Sequence, residues 1–313
     1  MFWSISNTRL FHQCQRRWFY KVLYANARAK KDPDRREAYL LSKLQSVSAW
    51  RGNIVDDAIS TVLVPALNRS QPVTLKSLKH RALAKFDAQL ATARRHALRE
   101  PGCNPTSMNG TFAAIYAMEY EGGISESEIV RARNEVETAL DTLFGLTEVR
   151  TALKRARYCI AQRALAFPCQ SYTVRAVPDL IAFFDDEPPL IVDWKVHFFA
   201  STDAWMQLGT YALALCRCTP HRDFPADRLD SLAPEDVRIW EAQLLKNQVR
   251  QHTITAEQLQ DIDEFIASTG LAMQMAIDGR KGAELSAEDF PVTSNPDQCQ
   301  RCQFRSLCWK ESE

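Results

Sequence analysis

Two apolar runs, YTVRAVPDLIAFF at 172–184 and LIVDWKV at 190–196, restrict this chain more than any other part of it. Both are dense in β-branched and aromatic residues, as buried strands are, and DDEPP between them is a turn. The first is one strand interrupted by Pro178 and Asp179. The second places Asp193 and Lys195 on one face and Trp194 on the other, because side chains alternate along a strand. Asp179 and Asp193 stand among Leu180, Ile181, Ile191 and Val192, where an unpaired carboxylate is costly.

Paired strands ending in two acids and a lysine suit phosphodiester hydrolysis. That reaction needs an activated water and positive charge at the phosphorus, which carboxylate-held divalent ions supply and a lysine can assist. Hard carboxylate oxygens select Mg²⁺ or Mn²⁺, and the Trp194 carbonyl is a further candidate ligand. The bland alternative is an exposed strand end with an ordinary salt bridge, since D-x-K is a short motif. In the helix that follows, DAWMQLGTYALAL, Gln207 and Tyr211 are four residues apart and share a face.

Upstream, apolar spacing predicts a helix over 4–26, capped by Ser4 or Ser6. A second runs from about Arg36 to Val64, stops before Pro65, and breaks near Trp50–Gly52. Residues 73–147 read as three further helices with almost no strand signal. Strand character begins at Tyr158 with YCIAQRALAF. Past a polar loop at 219–236 comes a hairpin turned at Lys246–Asn247, then a helix capped by Thr255. Strands and helices mix without regular alternation, which points to a mixed α/β core rather than a doubly wound one.

The chain has 313 residues and a formal net charge of +1, so any nucleic-acid contact must come from a local groove. It has no apolar run of membrane-spanning length and no signal-peptide pattern, which predicts a cytoplasmic protein without membrane partners. Of nine cysteines, Cys299, Cys302 and Cys308 form C-x2-C-x5-C near the end, and Cys14 stands near the start. Four thiolates suit an iron–sulfur cluster or tetrahedral zinc. Arg16, Arg17 and Arg175 are candidate phosphate contacts, with solvated surface arginine as the plain alternative.

Together these residues resemble the PD-(D/E)XK nuclease superfamily, with Pro178-Asp179 as its PD and Asp193-Trp194-Lys195 as its DXK. Gln207 and Tyr211 look like the Q-x-x-x-Y pair of the RecB-type branch. That branch carries G-x-x-x-H on an early helix, the histidine being a metal ligand. Here Gly52-Asn53-Ile54-Val55-Asp56 sets Asp56 in its place. The four cysteines resemble those of the branch's iron–sulfur group, which includes AddB and the CRISPR-associated exonucleases. The resemblance covers 1–65 and 155–310 and implies a restriction-endonuclease-like mixed sheet flanked by helices. The chain would then divide into 1–65, a helical insertion at 66–154, the nuclease core at 155–280, and a cysteine-rich cluster segment at 281–313. It implies a deoxyribonuclease, exonucleolytic on single strands or ends. Asp56, Asp179 and Asp193 would hold Mg²⁺ or Mn²⁺, Lys195 would assist the water, and Gln207 and Tyr211 would shape the site. A 4Fe–4S cluster on the four cysteines would tie the chain ends together, with zinc as the alternative. The partners it implies are DNA and a protein of a defence or repair complex. The competing reading is a DNA-binding or scaffold subunit that has lost turnover through Asp56.

Overall fold

The computed structural model describes residues 2–29, 32–108, 110–198, 204–225, 232–281 and 284–310. Asp203, read as the start of a helix, and part of the loop expected at 219–236 lie outside the described residues. The chain opens with β1 (Phe2–Trp3) and α1 (Ile5–Gln13). Ser4 caps α1 by accepting the Asn7 N–H at 3.2 Å. The helix expected over 4–26 breaks at Cys14, whose backbone is extended and whose sulfur caps α2 (Gln15–Trp18). A π-helical stretch, Phe19–Tyr24, carries α2 onward.

The helix expected from Arg36 to Val64 is also two. After α3 (Pro33–Leu41) the chain passes through β2 (Leu44–Gln45), and Ser46 caps α4 (Val47–Ala58). The break therefore falls where a serine can cap the next helix, and Trp50–Gly52 stays helical. Nor does the chain stop at Pro65, which sits in the first turn of α5 (Val64–Asn68), where a missing N–H costs little.

The helical region comprises α6 (Leu75–Arg94), β3 (Ala114–Ile115), α7 (Tyr116–Tyr120), α8 (Glu126–Gly145) and α9 (Thr147–Arg155). The strand character expected from Tyr158 resolves into β4 (Tyr158–Ala161) and β5 (Leu165–Cys169). Likewise YTVRAVPDLIAFF divides at Pro178-Asp179 into β6 (Tyr172–Ala176) and β7 (Leu180–Phe183). The remaining elements are β8 (Leu190–Lys195), α10 (Ala204–Arg217), β9 (Arg238–Gln243), β10 (Gln248–His252), α11 (Ala256–Ile277), α12 (Pro296–Gln300) and α13 (Arg305–Lys310).

The strands on either side of Pro178-Asp179 join different sheets. β6 pairs with β5 and, in parallel, with β1, whereas β7 lies in a five-stranded mixed sheet of order β10-β9-β8-β7-β4. Within that sheet β8 is antiparallel to β7 and parallel to β9. Alternation along β7 and β8 feeds two cores. Ile181, Phe183 and Ile191 join α1, α10 and α11, while Leu180, Val192 and Trp194 join α4, α6 and α8.

Arg51 ties the second of these layers to the sheet. Its buried guanidinium donates to Glu135 on α8 and to the carbonyl of Val196, just past β8. Segments from early and late in the sequence pack together. Phe290 stacks on Phe19 at 4.8 Å and Phe304 on Tyr20 at 5.6 Å. Tyr116 and Tyr120 of α7 donate to the carbonyls of Gln300 and Gln303. No helix among the described residues is long and apolar enough to cross a membrane. Arg51→Met is expected to cost about 3 kcal/mol, because Glu135 then stands half-sheltered without its partner. Urea denaturation measures this, and Glu135→Leu in the same chain should recover part of the loss.

Candidate active site

Asp179 and Asp193 come together because β7 and β8 are antiparallel neighbours whose register pairs Leu180 with Val192. The next pair outward is Asp179 with Asp193, on the face covered by α10. Asp193 is 1% exposed, and its Oδ2 lies 2.6 Å from the Lys195 Nζ. Asp179 accepts the Trp194 backbone N–H on Oδ2 at 2.9 Å. Asp56 reaches the same point from α4. All three border one cleft of about 520 Å³, with Lys195, His197, Gln207, Ser46, Ser48 and Asn53 around them. Asp57 is turned away, in an ion pair with Lys85 at 2.5 Å.

Gln207 donates to the Tyr211 hydroxyl at 2.6 Å and lies 3.4 Å from Asp193 Oδ1, so the pair on α10 braces Asp193 from above. Burial, then the nearby Asp193 and Asp179 charges, pushes the Tyr211 phenol well up. It stays a neutral hydroxyl and cannot serve as a base near neutral pH.

Two contributors were not singled out from the sequence. Gln162, one residue past β4, donates from Nε2 to Asp56 Oδ1 at 2.9 Å and to Asp179 Oδ1 at 3.0 Å. Glu241 of β9 is the register partner of Asp193, so it faces the same way, and it is 2% exposed. His252 at 3.5 Å and the Gln243 amide hold the Glu241 carboxyl down to about 2. Only strand register could have found Glu241, since it sits in an unremarkable VRIWEAQ. Gln162 had no signal of period or motif.

The carboxylates repel one another. Burial raises the Asp56 and Asp193 carboxyls, and Lys195 opposes the rise at Asp193. Asp179 is raised by burial and then by Asp193 and Asp56. As placed, no three His, Cys, Asp or Glu side chains among the described residues stand close enough to hold a metal ion.

Cys14, Cys299, Cys302 and Cys308 line a second, smaller pocket with Arg16, Arg17, Tyr20 and Trp309. The Cys14 and Cys302 sulfurs accept backbone N–H groups of Arg17 and Phe304, each at 3.4 Å. Burial pushes the Cys302 thiol up to about 11. Arg16 and Arg17 thus belong to the cysteine pocket, and Arg16 Nε donates to the Phe290 carbonyl at 3.1 Å. Arg175 lies over the Phe2 ring at 5.7 Å. None of the three borders the carboxylate cleft.

The raised Asp179 carboxyl has a consequence for stability. It titrates at about 8 in the folded chain against an ordinary 3.8, so between these values the folded state binds more protons than the unfolded one. Stability from this group is therefore lost as pH rises through that window. Asp179→Asn, which keeps an acceptor for the Trp194 N–H, should melt a few degrees above the unaltered protein at pH ~9, and the gap should close toward pH ~4. Scanning calorimetry in a chelating buffer measures this.

A family model of the PD-(D/E)XK nuclease superfamily matches residues 2–309. No curated protein matches the chain. Among solved structures, the crystal structure of protein VC1899 from Vibrio cholerae is similar at 11% identity, with a TM-score of 0.24. That likeness covers 78% of this chain, which spans 57% of the other. The family match takes in both the adjacent strands that seat Asp179, Asp193 and Lys195 and the α4 helix that brings Asp56 to them. The chain belongs to the PD-(D/E)XK nuclease superfamily.

Proposed function

We propose that the protein is a divalent-metal-dependent nuclease that hydrolyses phosphodiester bonds of DNA. The observation that carries this reading is the meeting of Asp56, Asp179 and Asp193 at one cleft, beside a lysine and against their mutual repulsion. A fold keeps such an arrangement only at a cost in stability, and a divalent cation offsets it. The donor type suits Mg²⁺ or Mn²⁺, since all three are carboxylates with hard oxygens, although as placed they stand too far apart to hold an ion together. Asp56, where the RecB-type branch has histidine, keeps the set all-oxygen. When bound, such a cation supplies positive charge at the scissile phosphate and acidifies a water beside it.

The chain's own groups do the remainder. Lys195, anchored by Asp193, presents its ammonium to the attacking water and to oxygen that gains charge as the bond breaks. Gln207, tied to Tyr211, fixes the Asp193 carboxylate. Ser46, Ser48 and Asn53 offer neutral donors along the rim, of the kind that position a phosphate backbone without reading its sequence. We assign exonucleolytic action on single strands or ends, as the likeness to the RecB-type branch implies.

We assign the cysteine pocket to a 4Fe–4S cluster. Four sulfurs from both chain ends line one pocket, and backbone N–H groups point at two of them. When bound, the cluster supplies a cross-link between α2 and α13.

Incubation of labelled single- and double-stranded DNA with Mn²⁺ tests the main reading. Lys195→Ala is expected to lower cleavage at least ~100-fold while DNA binding is kept. Equal inertness of both proteins on every substrate overturns it, and DNA binding without cleavage would then favour a scaffold subunit. Elemental analysis tests the cluster: Cys302→Ser should lose iron and sulfide, and zinc in the unaltered protein would displace the assignment.

A further inference from the structure

We propose that Gln162 is a ligand of the carboxylate site whose side chain changes from donor to acceptor when a divalent cation enters. The inference rests on the metal-dependent reading above and deepens it. The Gln162 Nε2 stands 2.9 Å from one oxygen of Asp56 and 3.0 Å from one oxygen of Asp179. With Nε2 toward the acids, the amide donates to both oxygens at once. Asp56 and Asp179 are two of the residues that would hold a cation, and the amide already touches both.

The backbone holds it there. The Gln162 N–H donates to the Asp179 carbonyl at 3.0 Å, extending the β4–β7 ladder by one residue. The residue itself adopts φ of 51°, left-handed and sparsely populated for a residue with a side chain. The chain turns here toward β5, and the strained residue is the one whose amide reaches the carboxylates.

Of the carboxamides that line the cleft, Gln162 is the one whose amide reaches both Asp56 and Asp179. A half-turn about its last bond exchanges Nε2 and Oε1 while every other atom stays in place. With Nε2 inward, Gln162 holds two mutually repelling carboxylates together. With a cation between them the N–H₂ group is repelled and the carbonyl oxygen becomes a hard ligand. Charge supports a neutral ligand: once a cation displaces the Asp179 proton, three carboxylates and one ammonium leave two negative charges, which one divalent cation balances. Gln162 adds an oxygen without changing that sum, so the site takes one cation per chain.

The test is calorimetric titration of the full chain with Mn²⁺ alone, without DNA. It compares the unaltered protein with Gln162→Leu and Gln162→Glu, and follows melting with and without the ion. The unaltered protein should bind one Mn²⁺, and Gln162→Leu should bind about tenfold more weakly. Gln162→Glu, fixed as an acceptor, should bind about tenfold more tightly. It should also melt lower than the unaltered protein in chelator and gain more on adding Mn²⁺. The side chain lies at the surface, and should Gln162→Leu fail to fold, Gln162→Glu alone decides. Unchanged affinity in the variants, or weakening in both, overturns the ligand role and leaves the metal-dependent reading standing. Absence of Mn²⁺ binding by the folded, unaltered protein overturns both.

Discussion

Negative charge crowded onto a buried strand face is the constraint around which this molecule is arranged. Asp179 just precedes β7 and Asp193 lies on its neighbour β8, Asp56 arrives from a helix, and Glu241 lies one strand further on. Water could screen such a group on the surface, but at this depth protein donors must do it. Each acid accordingly has its own: Lys195 for Asp193, the Trp194 N–H for Asp179, Gln162 for Asp56 and Asp179, and His252 with Gln243 for Glu241. The two ends of this series differ in kind. Glu241 is partnered and held as an anion, whereas Asp179 lacks enough positive charge nearby and keeps its proton up to about 8. The first behaves as scaffolding, the second as a place for a ligand.

The surroundings keep these few groups in place from both sides of the sheet. Leu180, Val192 and Trp194 lock β7 and β8 against the α4–α6–α8 layer, and Ile181 and Ile191 lock them against α10 and α11. Arg51 adds direction to the first layer, because it holds α8 and the end of β8 with one guanidinium. Asp56 lies five residues beyond Arg51 on the same helix, so the contact that anchors α4 also sets where Asp56 points. Gln207 and Tyr211 do the equivalent for Asp193 from the opposite side.

Much of this was legible wherever a periodic rule applied. Alternation put Asp193 and Lys195 together and Trp194 apart, and a spacing of four joined Gln207 to Tyr211. Thr255 does cap α11, with Gln258 completing a capping box. The rest depended on choices between elements that no local pattern records. Pro178-Asp179 looked like an interruption within one strand, yet it is where the chain leaves one sheet for another. Ser46 outcompeted Gly52 as the break in a long helical run because a side-chain cap satisfies an orphan N–H and a mid-helix glycine satisfies nothing. Gln162 lies between two strands in a conformation that depends on the ladder closing beside it. Glu241 became visible only through the parallel register of β9.

The pairing of the chain's first strand has a bearing on how the protein is made. Trp3 donates to Thr269 across 266 positions, and Arg16 to the Phe290 carbonyl across 274. β1 finds β6 only after more than half the chain has emerged, and Phe19 and Tyr20 meet Phe290 and Phe304 later still. Contacts of such separation demand loop closure before they return any stabilisation, so folding is slow and these pairings wait until residues 269–304 have been made. Until then the aromatic helices at the start are exposed, a hazard that falls to chaperones. The same late step assembles the four-cysteine pocket, so delivery of any metal centre there must follow, rather than seed, the folding of the sheet.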